Sequence, residues 1–277
     1  MNVIFREEMP IAALRPWVRR AMIGFSEKPV REILPIRSTG FAYFTFTNIE
    51  SGMEIQYEHQ SIKTSDEIHI ANQLTQNNSQ LNFNGKVIHI GLEILPSLPQ
   101  HLFNLSGEFL LNNGISYKTV NAKEYQALVN TIKTDLNPER ISKALQEFLL
   151  MKIKEKKLKA GIIEKVLQLI YDQNGFITVP KLAEENSISE RTLRRYFKKV
   201  IGLAPKYYAK IVQLNHVFDA IKTNNEKEIY KIALEAGYYD QSHFINDFQK
   251  YIGQSPNDFL QAGHYFLKTY LGKVRFE

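Results

Sequence analysis

Apolar and polar residues alternate along the first part of the chain. The segment FAYFTFT at 41–47 alternates around aromatic residues, and VIHIGLEI at 87–94 does so with aliphatic ones. Alternation with a period of two is typical of a β-strand with one buried face. The apolar positions expected on one side of the second segment are Ile88, Ile90, Leu92 and Ile94.

Turn-forming residues separate these segments. Among them, Asn84-Gly85 predicts a β-hairpin, because both residues tolerate the positive φ angles of a tight turn. Short strands spaced by turns predict a β-barrel or β-sandwich over residues 1–118. One short helix is predicted in the same region, near Ala12–Ala21 and around Trp17.

The hydrophobic period changes from about Asn121. Apolar residues then recur three and four positions apart in two segments that Asn137-Pro138 separates, which predicts a helical hairpin and linker over residues 119–160. The lysine-rich stretch from Lys152 to Lys159 is interpreted as a solvated helix end or linker rather than a DNA contact. We expect a domain boundary near Gly161.

Everything after Gly161 has a helical pattern. An amphipathic helix, IIEKVLQLIYDQ, is expected to close at Asn174-Gly175. Thr178 is a candidate cap for the next helix, in whose first turn Pro180 is tolerated. A long connecting helix is expected from Lys206 to Thr223.

One pattern occurs twice in this helical part. SERTLRRYFKKVIGLAPKYY begins at Ser189, and DQSHFINDFQKYIGQSPNDF begins at Asp240, 51 residues later. Each copy follows a short segment with an alanine four residues before a turn. The matching pairs are Phe197 with Phe248, Gly202 with Gly253, Pro205 with Pro256, Tyr208 with Phe259, Ala183 with Ala233, and Ser187 with Gly237. A short helix, a tight turn and a second helix predict a helix-turn-helix unit, here present twice.

The second helix of the first unit has two contrasting faces. Its cations recur at i, i+3, i+4 and i+7, so they form one stripe, which consists of Arg191, Arg194, Arg195 and Lys198. The apolar face is predicted to hold Leu193, Tyr196, Phe197 and Val200, with Ser189 as the cap. Such a helix fits the DNA major groove, where arginine pairs with guanine. The alternative is an ordinary amphipathic surface helix with solvated arginines.

The second copy is nearly neutral. Its equivalent stripe consists of Ser242, Ile245, Asn246 and Gln249, flanked by Gln241 and His243, and Asp247 stands where the first copy has Tyr196. Asn and Gln can pair with adenine, but a neutral helix releases no counterions, so we expect weaker readout. Candidate phosphate contacts are Lys199, Lys206, Lys210, Lys231 and Lys250.

Composition narrows the classes of function. The 277 residues suffice for two domains, and the net charge of +6 suits an anionic partner without requiring one. The chain has no cysteine, which excludes thiolate metal sites and cysteine nucleophiles. With neither a signal peptide nor an apolar run of membrane-spanning length, a soluble, cytoplasmic protein without membrane contact is expected.

Histidines in the β-rich half raise the alternative of a metal-dependent enzyme. They are His59, His69, His89 and His101. His89 and Glu93 share a strand face, but no third ligand is evident, and lone strand histidines are usually structural. No phosphate-binding glycine loop or hydrolase motif is present either. We therefore expect no metal, no cofactor and no catalytic residue.

The segment GYYDQSHFINDFQKYIGQSPNDF resembles the signature of AraC/XylS-type transcriptional regulators, and SERTLRRYFKKVIG resembles their first recognition helix. The resemblance covers residues 161–262 and implies two helix-turn-helix units that enter successive major grooves of double-stranded DNA. The DNA-binding candidates are Arg191, Thr192, Arg194, Arg195, Lys198, Gln241, Ser242, His243 and Asn246. The chain departs from the family at Asn246, Gln213 and Leu260, where arginines are usual.

The N-terminal half, especially VIHIGLEILPSLPQHLF, is similar to the cupin-like sensor domains of such regulators. This resemblance implies an α+β protein whose β-rich domain senses a small-molecule effector or forms a homodimer, and which contacts RNA polymerase if it is an activator. No role is assigned to residues 263–277. Two alternatives remain: a helix-turn-helix interaction protein with reduced DNA binding, and a metal-dependent cupin-type enzyme fused to a DNA-binding domain.

Overall fold

A computed structural model describes residues 3–36, 38–49, 52–56, 61–75, 79–223 and 229–261. The C-terminal tail at 263–277 and His59 lie outside these residues, as do the side chains of Phe259 and Leu260.

The N-terminal part consists mainly of β-strands. The strands are β1 Val3–Glu8, β2 Val18–Ser26, β3 Val30–Pro35, β4 Ala42–Ile49, β5 Met53–Gln56, β6 Ser61–Thr64, β7 Ile68–Ala71, β8 Gln80–Gly85, β9 Val87–Ile94 and β10 Gly114–Ser116. They form two antiparallel sheets, in the orders β1-β2-β9-β4-β7-β10 and β3-β8-β5-β6. Because the two sheets stay separate in the described residues, the β-rich region is a sandwich and not a closed barrel.

The larger sheet buries the face that the alternation predicts. Ile90, Leu92 and Ile94 of β9 are fully buried, and Ile88 packs against the same cluster. Phe44 of β4 joins them in the core. The predicted grouping of these β9 residues on one face is confirmed, because alternate strand residues point to the same side, and the opposite face is largely buried as well.

The hairpin predicted at Asn84-Gly85 is wrong. Gly85 does adopt a positive φ of 120° at the end of β8. However, β8 pairs with β3 and β5, whereas β9 pairs with β2 and β4. The turn therefore carries the chain from one sheet to the other, a choice that depends on distant strands and not on the turn residues.

The helix predicted near Ala12–Ala21 is also wrong. Only Ala12–Leu14 forms a short 3-10 helix, and β2 begins at Val18. β2 lies between β1 and β9 and is hydrogen-bonded to both. Pairing on both edges outweighs a local helical pattern, since each residue of the strand then satisfies its backbone groups in the sheet.

The remaining elements are helices. Their bounds are α1 Leu98–Phe103, α2 Gly107–Leu110, α3 Tyr117–Val120, α4 Ala122–Lys133, α5 Pro138–Glu155, α6 Ile162–Asp172, α7 Val179–Glu185, α8 Glu190–Ile201, α9 Pro205–Thr223, α10 Ile229–Glu235, α11 Gln241–Ile252 and α12 Pro256–Gln261. The predicted helical hairpin is α4 and α5, whose caps are Asn121 and Asn137. The described helices include none that is long and apolar enough to span a membrane.

The lysine-rich stretch is not solvated at its first residue, Lys152, contrary to the prediction. Its Nζ atom lies 2.9 Å from carboxylate oxygens of both Glu124 and Glu155, and the residue is buried. The hydroxyl of Tyr117 donates a hydrogen bond to Glu124 as well. Lys152 therefore belongs to an ion-pair network between α4 and α5, which amphipathic spacing alone does not reveal.

The chain divides into two compact units. The first comprises Met1–Ile36, Phe41–Ala160 and Lys198–Gly202, and the second comprises Arg37–Gly40, Gly161–Phe197 and Leu203–Glu277. In the second, Asn174 and Gly175 close α6 with positive φ angles. The hydroxyl of Thr178 accepts a hydrogen bond from the Lys181 amide at 3.4 Å, which confirms it as the cap of α7.

Candidate nucleic-acid interface

The first helix-turn-helix unit is α7 and α8. Ser187 occupies the turn with a φ of 51°. Its amide donates to the Glu184 carbonyl at 3.0 Å, and the Ile188 amide donates to the Ala183 carbonyl at 3.0 Å. These two bonds satisfy the last carbonyls of α7 and turn the chain toward α8.

The second unit, α10 and α11, repeats this turn. Gly237 takes the place of Ser187 with a φ of 106°, and its amide donates to the Leu234 carbonyl at 3.0 Å. The Tyr238 amide donates to the Ala233 carbonyl at 3.0 Å. The alanine-to-turn spacing noted in the sequence therefore corresponds to the same backbone bonds, and the prediction of two helix-turn-helix units is confirmed.

Each recognition helix starts at a side-chain cap. The Ser189 hydroxyl accepts from the Thr192 amide at 3.1 Å. The Asp240 carboxylate accepts from the His243 amide at 2.7 Å. Both caps satisfy an amide that has no partner within its helix, and the carboxylate also interacts favourably with the helix dipole.

Aromatic anchors hold both recognition helices against α9. Phe197 of α8 is fully buried and meets Tyr208 edge-on, with ring centroids 5.7 Å apart. Phe248 of α11 is also fully buried and meets Phe218 at 5.6 Å. The 19 residues of α9 form a helix about 28 Å long that carries both anchors.

The prediction that Tyr196 lies on the apolar face of α8 is wrong. Its side chain is 37% exposed, whereas Leu193, Phe197 and Ile201 are buried. The buried stripe follows i, i+4 and i+8, so Tyr196 lies at its margin. The guanidinium of Arg195 lies 5.8 Å from the centre of the tyrosine ring, so this ring lies beside the cationic face.

The cationic stripe of α8 is exposed along its whole length. Its members are Arg191, Arg194, Arg195 and Lys198. Arg194 pairs with Glu190 one turn earlier at 2.9 Å, and both side chains are largely exposed. A solvated pair of this kind is weak and leaves the guanidinium able to exchange partners. Thr192 is half-buried, and its hydroxyl accepts from that of Ser189 at 3.0 Å.

The corresponding face of α11 is exposed but carries no cation. The candidate residues on it are Gln241, Ser242, His243 and Asn246. Ile245 beside them is half-buried. This face offers hydrogen-bond donors and acceptors to base edges, with little charge to attract phosphates.

Asp247 points toward α9 and not toward the exposed face. Its carboxylate lies 2.7 Å from Nζ of Lys210, and the two side chains are only 15% and 16% exposed. Nε2 of His243 is 3.4 Å from the same carboxylate and 3.3 Å from the lysine. The ion pair neutralises Asp247, the one acidic residue of α11, and joins α11 to α9.

This pairing changes the candidate phosphate contacts. Lys210 is committed to Asp247 and to the ring of Tyr238, whose centroid is 5.4 Å away. The other candidates are exposed, namely Lys199, Lys206, Lys231 and Lys250. Sequence reasoning missed the pair because its partners lie on different helices and share no local spacing.

Gln213, where the family pattern has an arginine, is a buried residue of α9. Its amide nitrogen donates to the Gly175 carbonyl at 2.9 Å. A Cβ atom on Gly175 would lie 2.2 Å from the Ala209 carbonyl oxygen, so only glycine fits this close approach. Gln213 therefore helps to hold the turn after α6 against α9 and is not placed for a DNA contact.

The histidine candidates for a metal site have other surroundings. Nδ1 of His89 lies 2.7 Å from the Thr47 hydroxyl, and Glu93 is held by Arg20 at 2.6 Å. Burial lowers the pKa of both His69 and His89 to about 4, so both are neutral near pH 7. No group of three metal-ligating side chains occurs among the described residues.

Comparisons with known proteins agree with the geometry of the C-terminal part. Residues 182–262 match the family described as a helix-turn-helix domain. The melibiose operon regulatory protein of Escherichia coli K12 is 31% identical over 102 residues, which cover 37% of this chain and 33% of that protein. The transcriptional activator RhaS of Escherichia coli SE11 is 32% identical over 87 residues, which cover 31% of each chain.

The chain thus matches about a third of the length of these curated relatives. One solved structure is similar over the whole chain: ToxT from Vibrio cholerae strain SCE256 bound to an unsaturated fatty acid. It has a TM-score of 0.50 and 12% identity, and the match covers 100% of this chain and 96% of that one. The resemblance of the C-terminal part to AraC/XylS-type regulators is confirmed by these relatives, and ToxT supports the two-domain fold.

Proposed function

We propose that this protein is a transcription regulator that binds double-stranded DNA sequence-specifically. The observation that carries the proposal is the exposed stripe of cations on α8, backed by fully buried Leu193 and Phe197 on the opposite face. A helix that is anchored on one side and cationic on the other matches the shape and charge of a major groove.

In this mechanism, α8 leads recognition. Arg191, Arg194 and Arg195 read base edges, and exposed lysines such as Lys199 and Lys206 contact phosphates that set the register. α11 enters an adjacent groove and contributes neutral hydrogen bonds. The anchoring of both recognition helices on the single helix α9 supports this division, because it joins the two units in one block.

We further propose that the N-terminal unit controls DNA binding, by holding a small effector or by forming a homodimer. A cleft of about 500 Å³ in this unit supports the first option, since ligand sites commonly have this size. Apolar Phe103 and Val120 line it together with polar Tyr117, Glu124 and Lys152. ToxT, which has the same fold, was solved with a fatty acid bound. Contact with RNA polymerase follows if the protein is an activator.

Thermal unfolding of the full chain against a metabolite collection tests the effector. We expect one class of compound to raise the melting temperature, because ligand binding to the folded state stabilises it. Val120→Trp, which fills the cleft, should abolish that rise. If no compound shifts the melting temperature, a dimerising role is favoured, which sedimentation of the protein alone would show.

Selection of bound DNA from a random pool, at two salt concentrations, tests the DNA-binding function. Two short preferred elements about one helical turn apart would support both units, and a single element would support α8 alone. Absence of salt-sensitive binding would contradict the proposal, because contacts with phosphates release counterions. The neutral face of α11 would then favour the alternative of an interaction protein.

A further inference from the structure

The turn of the second helix-turn-helix unit is one residue longer than that of the first. In both units, the residue after the positive-φ turn residue bonds back to the alanine carbonyl: Ile188 in the first and Tyr238 in the second. In the first unit the cap Ser189 follows at once, whereas in the second Tyr239 precedes the cap Asp240. Tyr239 is therefore the extra residue of the longer turn.

The surroundings of the two adjacent tyrosines differ sharply. Tyr238 is 3% exposed, and its ring lies 5.2 Å from that of Phe244 and 5.8 Å from that of Phe176. Tyr239 is 90% exposed. Within the described part of the chain, it makes neither a hydrogen bond nor a ring contact. Tyr238 thus anchors the turn, and Tyr239 contributes little to the fold.

A large aromatic side chain held almost wholly in water at a rigid turn suits a binding surface better than a structural role. Tyrosine is common at interfaces because it adds contact area with little loss of conformational entropy and carries a hydroxyl. Here the flanking residues are fixed, Tyr238 by its packing and Asp240 by its bond to the His243 amide. The backbone that carries Tyr239 is therefore already ordered before any partner binds.

We propose that Tyr239 contacts the sugar-phosphate backbone at the edge of the groove that α11 enters. This inference rests on the proposed DNA binding. The N-terminal residues of a recognition helix enter the groove and contact base edges. Tyr239 is exposed and immediately precedes the cap of α11, so it lies beside this end of the helix. There the hydroxyl donates to a phosphate oxygen, and the ring packs on deoxyribose.

Such a contact supplies what α11 lacks. The exposed candidates Gln241, Ser242 and Asn246 are neutral, and the Asp247 charge is paired with Lys210. A tyrosine hydroxyl neutralises no phosphate charge, so its contact releases no counterion. Besides the exposed lysines Lys231 and Lys250, the second unit then has a contact that hardly depends on salt, whereas α8 depends on salt through its cations.

The test uses the full chain, a DNA fragment obtained by selection, and dissociation constants measured at several salt concentrations. We expect Tyr239→Ala to weaken binding about tenfold, the loss expected for one hydrogen bond and its buried ring, with an unchanged salt slope. Tyr239→Phe should retain the ring contribution and lose only part of the affinity. The matched control is Lys199→Ala, which should reduce the magnitude of the slope by about 0.9.

The other possible results distinguish failure of the Tyr239 contact from failure of DNA binding as a whole. If the wild type binds DNA and Tyr239→Ala binds equally well, the inference is overturned while the DNA-binding function stands. A change of salt slope equal to that of Lys199→Ala would overturn the uncharged contact, and a lower melting temperature would indicate a structural role instead. If the wild type binds no DNA, the proposed function and this inference both fail.

Discussion

The two helix-turn-helix units share a scaffold but not a surface. Both turns make the same pair of backbone hydrogen bonds, and both recognition helices begin at a side-chain cap. Each recognition helix also buries a phenylalanine against α9, Phe197 in α8 and Phe248 in α11. Their exposed faces differ, because one stripe of α8 consists of four cations and the equivalent stripe of α11 contains no cation. The scaffold tolerates this divergence since the buried and exposed positions of an amphipathic helix are independent.

The anchoring phenylalanines give the largest expected effect. We expect Phe197→Ala and Phe248→Ala each to lower the free energy of unfolding by about 3–5 kcal/mol, because each removes a fully buried ring and leaves a cavity. Urea unfolding monitored by circular dichroism measures both. A loss below about 1 kcal/mol at either site would contradict the shared scaffold.

The Lys210–Asp247 pair occurs in the second unit and has no equivalent in the first. The position of Asp247 in the repeat is occupied by Tyr196 in the first unit. We expect Asp247→Asn to destabilise the fold by about 2 kcal/mol, because it leaves a mostly buried lysine without its counter-ion. The control is Glu190→Gln in the exposed pair with Arg194, where a change below about 0.5 kcal/mol is expected. If both substitutions change the free energy of unfolding by the same amount, the Lys210–Asp247 pair does not stabilise the fold more than the exposed pair does.

DNA affinity tests the difference between the two surfaces. Arg195→Ala should cost about 1–3 kcal/mol of binding free energy and relax the preference at one base pair, if the guanidinium pairs with guanine. The equivalent change, Asn246→Ala, should cost less and leave the salt slope unchanged. Titrations against operator variants measure both. A larger loss of affinity for Asn246→Ala would show that α11 and not α8 leads recognition. If Arg195→Ala weakens binding equally on all sequences, Arg195 contacts a phosphate and not a base.

The helix caps should give the smallest effect. Ser189→Ala and Asp240→Ala each remove one acceptor for an amide of the first turn, at 3.1 and 2.7 Å respectively. We expect each to lower the free energy of unfolding by about 1 kcal/mol. Urea unfolding monitored by circular dichroism measures both losses, and an unchanged stability at both sites would show that the caps do not stabilise the helices.

The local features of the fold were predictable from the sequence. The repeat, the Thr178 cap, the closure of α6 at Asn174-Gly175 and the buried face of β9 all follow from residues within one or two helical turns or strand positions. The exposure of the cationic stripe follows from spacing in the same way. The physical reason is that capping, turn conformation and amphipathic orientation depend on neighbours in the chain.

Only the tertiary structure decided the features that depend on distant partners. The assignment of β8 and β9 to different sheets, and the replacement of a predicted helix by β2, arose from strand pairing. The inward orientation of Asp247 depends on Lys210 of another helix, and the burial of Lys152 on Glu124. Sequence spacing contains no information on which remote group neutralises a charge or completes a ladder, since such pairs form only once the chain has folded.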